Sequence, residues 1–386
     1  MTDLNAGLAG GGESGGRGRA QRRIYLDDAG AAPLLPEVAA ALRDLSIANP
    51  SSLHKEGRAA RAALDRARDI AATQLGADRG EITFTSSGTE AVNLALFGAA
   101  RRLPKAARIL TWAAEHQSVL GPVRHLQAEG HSVTIAEVDA AARADPDAIT
   151  SGIALVSIGL ANNEVGTVQP VDEIVRRAHD VGALVHLDAC AGPRWIQVPR
   201  GPDLISISGQ KLGAGAGGVL FVREGVRIEP LLYGGPQEWG RRAGREDVAG
   251  AIAVSTALAA SGRDRAERAA VAAQQAKGLR ALLEDCGGRL TGAALRLPNH
   301  ASATFPGRRG EDMLLALDVA GVAASSGSAC ASGSLDPSHV LLAMGLGMDE
   351  ALGSLRLTTG YDTTDDDLAL ARAILSSVLA RTAARA

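Results

Sequence analysis

The residues able to do chemistry in this chain sit in small, polar turns. Ser86, Ser87, Gly88, Thr89 and Glu90 follow the apolar run EITFT and open a helical pattern. Backbone N–H groups and hydroxyls thus gather at a helix N-terminus, an arrangement that holds phosphate. Taken alone, the same residues read equally as an ordinary helix cap, and without a Walker lysine a nucleotide P-loop is disfavoured. Asp188 ends the apolar run LVHLD, where an ionised carboxylate must meet a cation or hydrogen-bond donors. Lys211 lies in the turn SGQKLGAGAGG, whose small residues let a planar ligand approach closely. A solvated strand-end Asp and a surface Lys are the plain readings of each in isolation. Together, a phosphate cup, an aspartate and a lysine provide an anchor, an electron-sink partner and a Schiff-base amine. The cofactor these three predict is pyridoxal 5'-phosphate.

Other groups fit around that core. His116 follows RILTWAAE and is suited to stacking on a pyridine ring or moving a proton, with a satisfied loop histidine as the alternative. Asn162 and Asn163 follow IALVSIGLA, while His186, inside a strand pattern beside Asp188, reads as structural. Arg356, in GSLRLTTG, is either a bidentate grip on a substrate carboxylate or a member of a surface ion pair. Cys330 stands in ASSGSACASGSLDPS, with no apolar neighbours to bury it, and is the nucleophile candidate. Cys190 and Cys286 read as inert small hydrophobes. Three cysteines without a CxxC pair point to neither a disulfide framework nor a zinc site, so no metal is expected and a reducing, cytoplasmic setting fits.

The elements that position these residues emerge from the pattern of the chain. Short β-branched runs at 81–85, 108–112, 132–136, 153–158, 184–188, 204–207 and 217–223 alternate with helical stretches at 90–102, 118–128 and 171–181. Such alternation predicts an α/β fold with a mainly parallel, seven-stranded sheet covered by helices. Ligands bind beyond the carboxyl ends of such strands, which is where the candidates fall. After about residue 260 come a long Ala-rich helix, the segment LRLPNHASATFP, the Ser- and Gly-rich loop and a last helix over 365–383. The expected organisation is a flexible Gly-rich tail at 1–20, a large cofactor-binding domain at 38–260, and a smaller α+β domain made of 21–37 and 261–386 that carries the Cys330 loop. With 40 Lys and Arg against 43 Asp and Glu in 386 residues, no basic excess exists to hold nucleic acid. Apolar runs fall short of the ~20 residues that cross a bilayer, so neither nucleic acid nor membrane is expected as a partner.

The motifs YLDDAGAAP, NPSSLHKEGR, FTSSGTEAVNLAL, EHQSVL, ANNEVGTVQP, HLDA, SGQK, YGGPQE, SSGSACASG, PSHVLLAMG and LRLTTG span nearly the whole chain after the tail. In them the sequence resembles the cysteine desulfurases of the class V aminotransferase group, fold type I pyridoxal-phosphate enzymes. SSGSAC followed by PSHVL is the specific element, separating desulfurases from transaminases of the same fold. The resemblance implies that Lys211 forms the Schiff base, Asp188 pairs with the pyridine nitrogen and His116 stacks on the ring. It implies that Gly88, Thr89 and Ser208 bind the phosphate and that Asn163 and Arg356 fix the substrate carboxylate. Cys330 would take the sulfur of L-cysteine as a persulfide, leaving alanine, and a homodimer would pass it to an acceptor or scaffold protein. Three positions depart from the family: Gln210 stands where His is usual before the lysine, Ala191 where Gln is usual, and Arg245 where a Thr normally reaches across the dimer to the phosphate. Each alters hydrogen bonding to the cofactor. A related C–S or selenocysteine lyase in a specialised pathway, and a non-catalytic partner protein that keeps the fold, remain open alternatives.

Overall fold

The computed structural model describes residues 23–43, 45, 48–327 and 336–383. The expected tail at 1–20 and Cys330 itself lie outside the described residues. After β1 (Ile24–Tyr25), the strands β2 (Ile82–Thr85), β3 (Arg108–Trp112), β4 (Ser132–Ala136), β5 (Ile153–Gly159), β6 (Leu184–Asp188), β7 (Leu204–Ser208) and β8 (Gly218–Val222) appear in chain order. The last seven form one sheet in the order β2-β8-β7-β6-β5-β3-β4. β3 pairs in parallel with both β4 and β5, β5 with β6, and β6 with β7, whereas β8 runs antiparallel to both its neighbours. This is the fold class expected from the sequence. The central strands are aliphatic runs because helices cover both faces and leave no solvated side to favour alternation.

One boundary differs from the sequence reading. The helix expected at 90–102 is Gly88–Ala100, because the Ser87 hydroxyl accepts from Glu90 N and so places Gly88 and Thr89 in the first turn. The helix Val248–Arg263 is followed, after Asp264, by Arg265–Asp285, the long Ala-rich helix expected after about residue 260. The first packs into the core of the large sheet through Val254, Ala257 and Leu258.

The remaining strands are β9 (Arg289–Leu290), β10 (His300–Thr304), β11 (Val322–Ala323) and β12 (Ser354–Thr358). β9, β10 and β12 form an antiparallel sheet in the order β12-β10-β9, and β11 pairs in parallel with β1. A separate apolar core joins Ile24 and Leu26 to Leu279, Phe305, Leu355 and Leu375. The first described strand is thereby built into the same core as the last helix, Asp365–Ala383.

Candidate active site

Every strand of the large sheet except β8 points the same way, so the chain leaves β2, β3, β5, β6 and β7 at one edge. The residues beyond those strands enclose a cavity of about 420 Å³. Gly88 and Thr89 line it from beyond β2, His116 from beyond β3, Asn163 from beyond β5, Asp188 from the end of β6, and Ser208, Gln210 and Lys211 from the end of β7. Arg356 joins them from β12 in the other sheet. Of the expected site residues that are described, only Arg245 does not line the cavity; it is exposed.

Local packing explains how these groups come so close. A Cβ on Gly88 would lie 2.5 Å from Cys190 Sγ and 2.8 Å from Ser208 Cβ, so only glycine lets the start of this helix close on the ends of β6 and β7. The first turn of a helix leaves N–H groups without helical partners, and Gly88 and Thr89 of that turn line the cavity together with Ser208. A Cβ on Gly209 would lie 2.2 Å from the Ala216 carbonyl oxygen, and the tight return of Gly209–Leu212 is what presents Lys211. The N–H and hydroxyl donors, the carboxylate and the amine that line this cavity are the groups that the phosphate, ring nitrogen and aldehyde of pyridoxal phosphate call for. The residues present fit the cofactor.

The charged and polar groups are individually held. Asp188 is 6% exposed, and its Oδ1 accepts from Cys190 N at 2.9 Å. His116 caps the helix Gln117–Ala128 with its own ring: Nδ1 accepts from Ser118 N at 3.0 Å, which fixes the ring and leaves the proton of the neutral form on Nε2. Burial, and then the charge of Lys211, lower its pKa. His186 bonds Ser157 and Ser206 hydroxyls at 2.9 Å each and is driven by burial to a pKa of about 4, the structural role its strand position predicts. Cys190 lines the cavity, a placement the sequence did not indicate. Burial pushes its thiol well above the usual range, so it stays protonated and weakly nucleophilic.

Two expectations change. Arg356 is buried, not in a surface pair, and its fork is not open: Nη2 donates to Asp27 Oδ1 at 2.6 Å and Nη1 to the Asn163 carbonyl oxygen at 2.8 Å. Gln210 lines the cavity but spends an amide hydrogen on the Gly30 carbonyl oxygen at 3.2 Å. The side chain of Asn162 shapes the loop, donating to the Ala114 carbonyl and accepting from Glu164 N and Val165 N. Two functional candidates escaped the sequence reading. Asp27 was visible only as part of an acidic doublet in YLDDAG, and Glu115 as the neighbour of His116. Burial pushes Glu115 up to about 8, opposed by a hydrogen bond from the Gly159 backbone and aided by the charge of Asp188.

The class-V aminotransferase family model matches residues 24–370. "Cysteine desulfurase IscS" of Dictyoglomus turgidum is 37% identical over 378 residues, covering 93% of this chain and 95% of that protein. The chain belongs to the cysteine desulfurase family. Among solved structures, a NifS-like protein superposes with a TM-score of 0.87 at 29% identity, covering 93% of this chain and all of its own. The structure described as SspA in complex with cysteine superposes with a TM-score of 0.75 at 29% identity, covering 87% of this chain and 98% of that one. Cysteine desulfurases are pyridoxal-phosphate enzymes, and the cavity at the sheet edge is where this member gathers Lys211, Asp188 and Arg356.

Proposed function

We propose that this desulfurase converts L-cysteine to L-alanine in the 420 Å³ cavity, with pyridoxal phosphate bound there and Cys330 receiving the sulfur. The observation that carries this reading is the meeting of Lys211, Asp188 and the Gly88, Thr89 and Ser208 donors in one cavity that also exposes the buried Arg356. When bound, the cofactor supplies an electron sink that weakens bonds at the carbons of the substrate. Lys211 Nζ is the amine that attaches it, and Asp188 gives the carboxylate for its ring nitrogen. His116, locked by Ser118 N, holds its ring and its Nε2 proton over the cavity. Arg356 and Asn163 orient the substrate carboxylate, which must share the guanidinium with Asp27.

Cys330 as thiolate attacks the sulfur of cysteine, the carbon–sulfur bond breaks, and the products are alanine and a Cys330 persulfide. Two thiols and no external oxidant balance that transfer. The persulfide then passes to an acceptor protein. We read the exposed Arg245 as reaching the phosphate of a partner copy in a homodimer, and the three reduced cysteines as those of a cytoplasmic protein.

Incubating the purified protein with cysteine and measuring sulfide and alanine tests the activity. Cys330→Ala should still bind pyridoxal phosphate and cysteine while sulfide release collapses, and Lys211→Ala should lose both borohydride-trapped cofactor and turnover. Undiminished sulfide from Cys330→Ala would remove Cys330 from the reaction.

A further inference from the structure

Beside the active-site cavity lies a much smaller one, of about 20 Å³, bounded by Ala191, Arg194, Asp28, Lys211, Asn299 and His300. Its size suits one water, which needs about 10–15 Å³. Arg194 is 2% exposed, and its Nη1 donates to Asp28 Oδ1 at 2.6 Å. Its Nε and Nη2 have no partner among the described residues. These two donors share one edge of the planar guanidinium, so a single oxygen is able to accept from both.

The guanidinium has no freedom to seek partners elsewhere. The Tyr361 ring stacks on it at 3.8 Å, and the Tyr361 hydroxyl donates to the Arg194 carbonyl oxygen at 2.9 Å. The polar neighbours across the cavity are already engaged. His300 bonds the Asn299 carboxamide oxygen through Nδ1 and faces the Asn163 carbonyl through Nε2, and Asn299 Nδ2 donates to the Thr359 carbonyl. A buried cation with two unmet N–H groups beside a void of one water's volume is the situation in which ordered water is retained. The small void and the active-site cavity share Ala29, Ala191 and Lys211 in their walls, and Ala191 adds no polar side-chain group between them.

We propose that this cavity holds one ordered water, fixed by Arg194 Nε and Nη2, and that through it Arg194 delivers to the Lys211 end of the active site the hydrogen bond Ala191 cannot make. A water that accepts from the guanidinium edge keeps both its hydrogens to donate, one of them into the active-site cavity beside Lys211, where an oxygen of the bound cofactor would accept it. Arg194 is thus a positioning residue that acts through the water. The water site stands on this chain's own groups, and its effect at Lys211 rests on the proposed function.

The test uses the cofactor-loaded protein and two variants at one position. A high-resolution crystal structure should show a water within hydrogen-bond distance of both Arg194 Nε and Nη2; an empty cavity, or either nitrogen bonded to protein, overturns the proposal. Ala191→Val fills the space without an acceptor and should lower the melting temperature by about 2 °C or more, whereas Ala191→Gln brings an amide that accepts from Arg194 and donates onward and should restore it. A merely empty void predicts the opposite order, with Val stabilising by filling it. The visible absorbance maximum of the loaded protein should move in Ala191→Val and return in Ala191→Gln. An unmoved maximum with the water present overturns the delivery to Lys211, while a protein that takes up no pyridoxal phosphate at all refutes the proposed function and leaves the crystal and melting results to decide the water.

Discussion

Glu115 is 6% exposed, and its carboxyl is pushed by burial from 4.5 up to about 8. Between those two values the folded chain holds a proton there that the unfolded chain has released. Stability from this group is therefore fully present below the unfolded value and is lost as pH rises through the folded one. The loss is about 1.4 kcal/mol per pH unit, or about 5 kcal/mol at most across the window. Glu115→Gln keeps the shape of the neutral acid and its acceptor for the Gly159 backbone but cannot ionise. Urea denaturation of both proteins from about pH 5 to about pH 8 isolates the group, because Asp28, His186 and His300, whose values burial also displaces, are common to the two and cancel in the difference. The variant should match the natural protein at the acid end and exceed it progressively toward the alkaline end. A difference that stays flat with pH, or a variant that falls behind as pH rises, would refute a protonated Glu115.

Two further substitutions test how the site is supported. Gly209→Ala would set a methyl 2.2 Å from the Ala216 carbonyl oxygen and 2.8 Å from that of Gly217, both backbone, so the turn bearing Lys211 must move. Cysteine turnover should fall at least about tenfold, with less cofactor trapped on Lys211, and natural turnover would show that the turn tolerates the shift. Arg68→Met would strand the Glu238 carboxylate, which takes two bonds of 2.7 Å from Arg68 and one of 2.8 Å from Phe84 N in a buried site. Denaturation should register a loss of about 3–5 kcal/mol, largely recovered by adding Glu238→Gln, and a single-variant cost below about 1 kcal/mol would mean the pair stays solvated.

The sheet was legible in the sequence because each strand is a short aliphatic run closed by a polar turn, and β2 to β8 fall within a residue or two of those runs. The site was legible for a related reason. A parallel sheet sends the residue after each strand to one edge, so the positions at the ends of EITFT, RILTW and LVHL already bring Thr89, His116 and Asp188 together. The contacts that escaped join segments far apart in the chain. Nothing near Arg356 shows that Asp27 occupies its Nη2, and nothing near Glu115 shows that Gly159 brings a backbone close enough to bury its carboxyl. The use of the Gln210 amide on Gly30 and the close packing of Cys190 against Gly88 are likewise properties of the fold and not of any local pattern. The helix start was misplaced for a local reason, since Ser87 caps in preference to Thr89 and draws two more residues into the first turn.

Asp27 and Asp28 show why these long-range pairs matter to the site. As neighbours leaving a strand-like segment they send their side chains in different directions. Asp27 takes Arg356 from β12, and Asp28 takes Arg194 from the loop beyond β6. Gly360 permits the second contact, since a Cβ there would lie 2.8 Å from Asp28 Oδ1, and Thr358 Oγ1 secures the next residue by accepting from Ala29 N at 2.9 Å. Buried ion pairs add little net stability, because desolvation offsets most of their attraction. Their geometry, however, is directional, whereas apolar packing is not. Two adjacent backbone positions therefore set the distance between the arginine assigned to the substrate carboxylate and the arginine beside Lys211. The relative placement of the two arginines is thus directed by the acidic doublet of YLDDAG, whose backbone is seated by Leu26 in the apolar core with Leu355 and by Asp28 N donating to the Thr358 carbonyl oxygen.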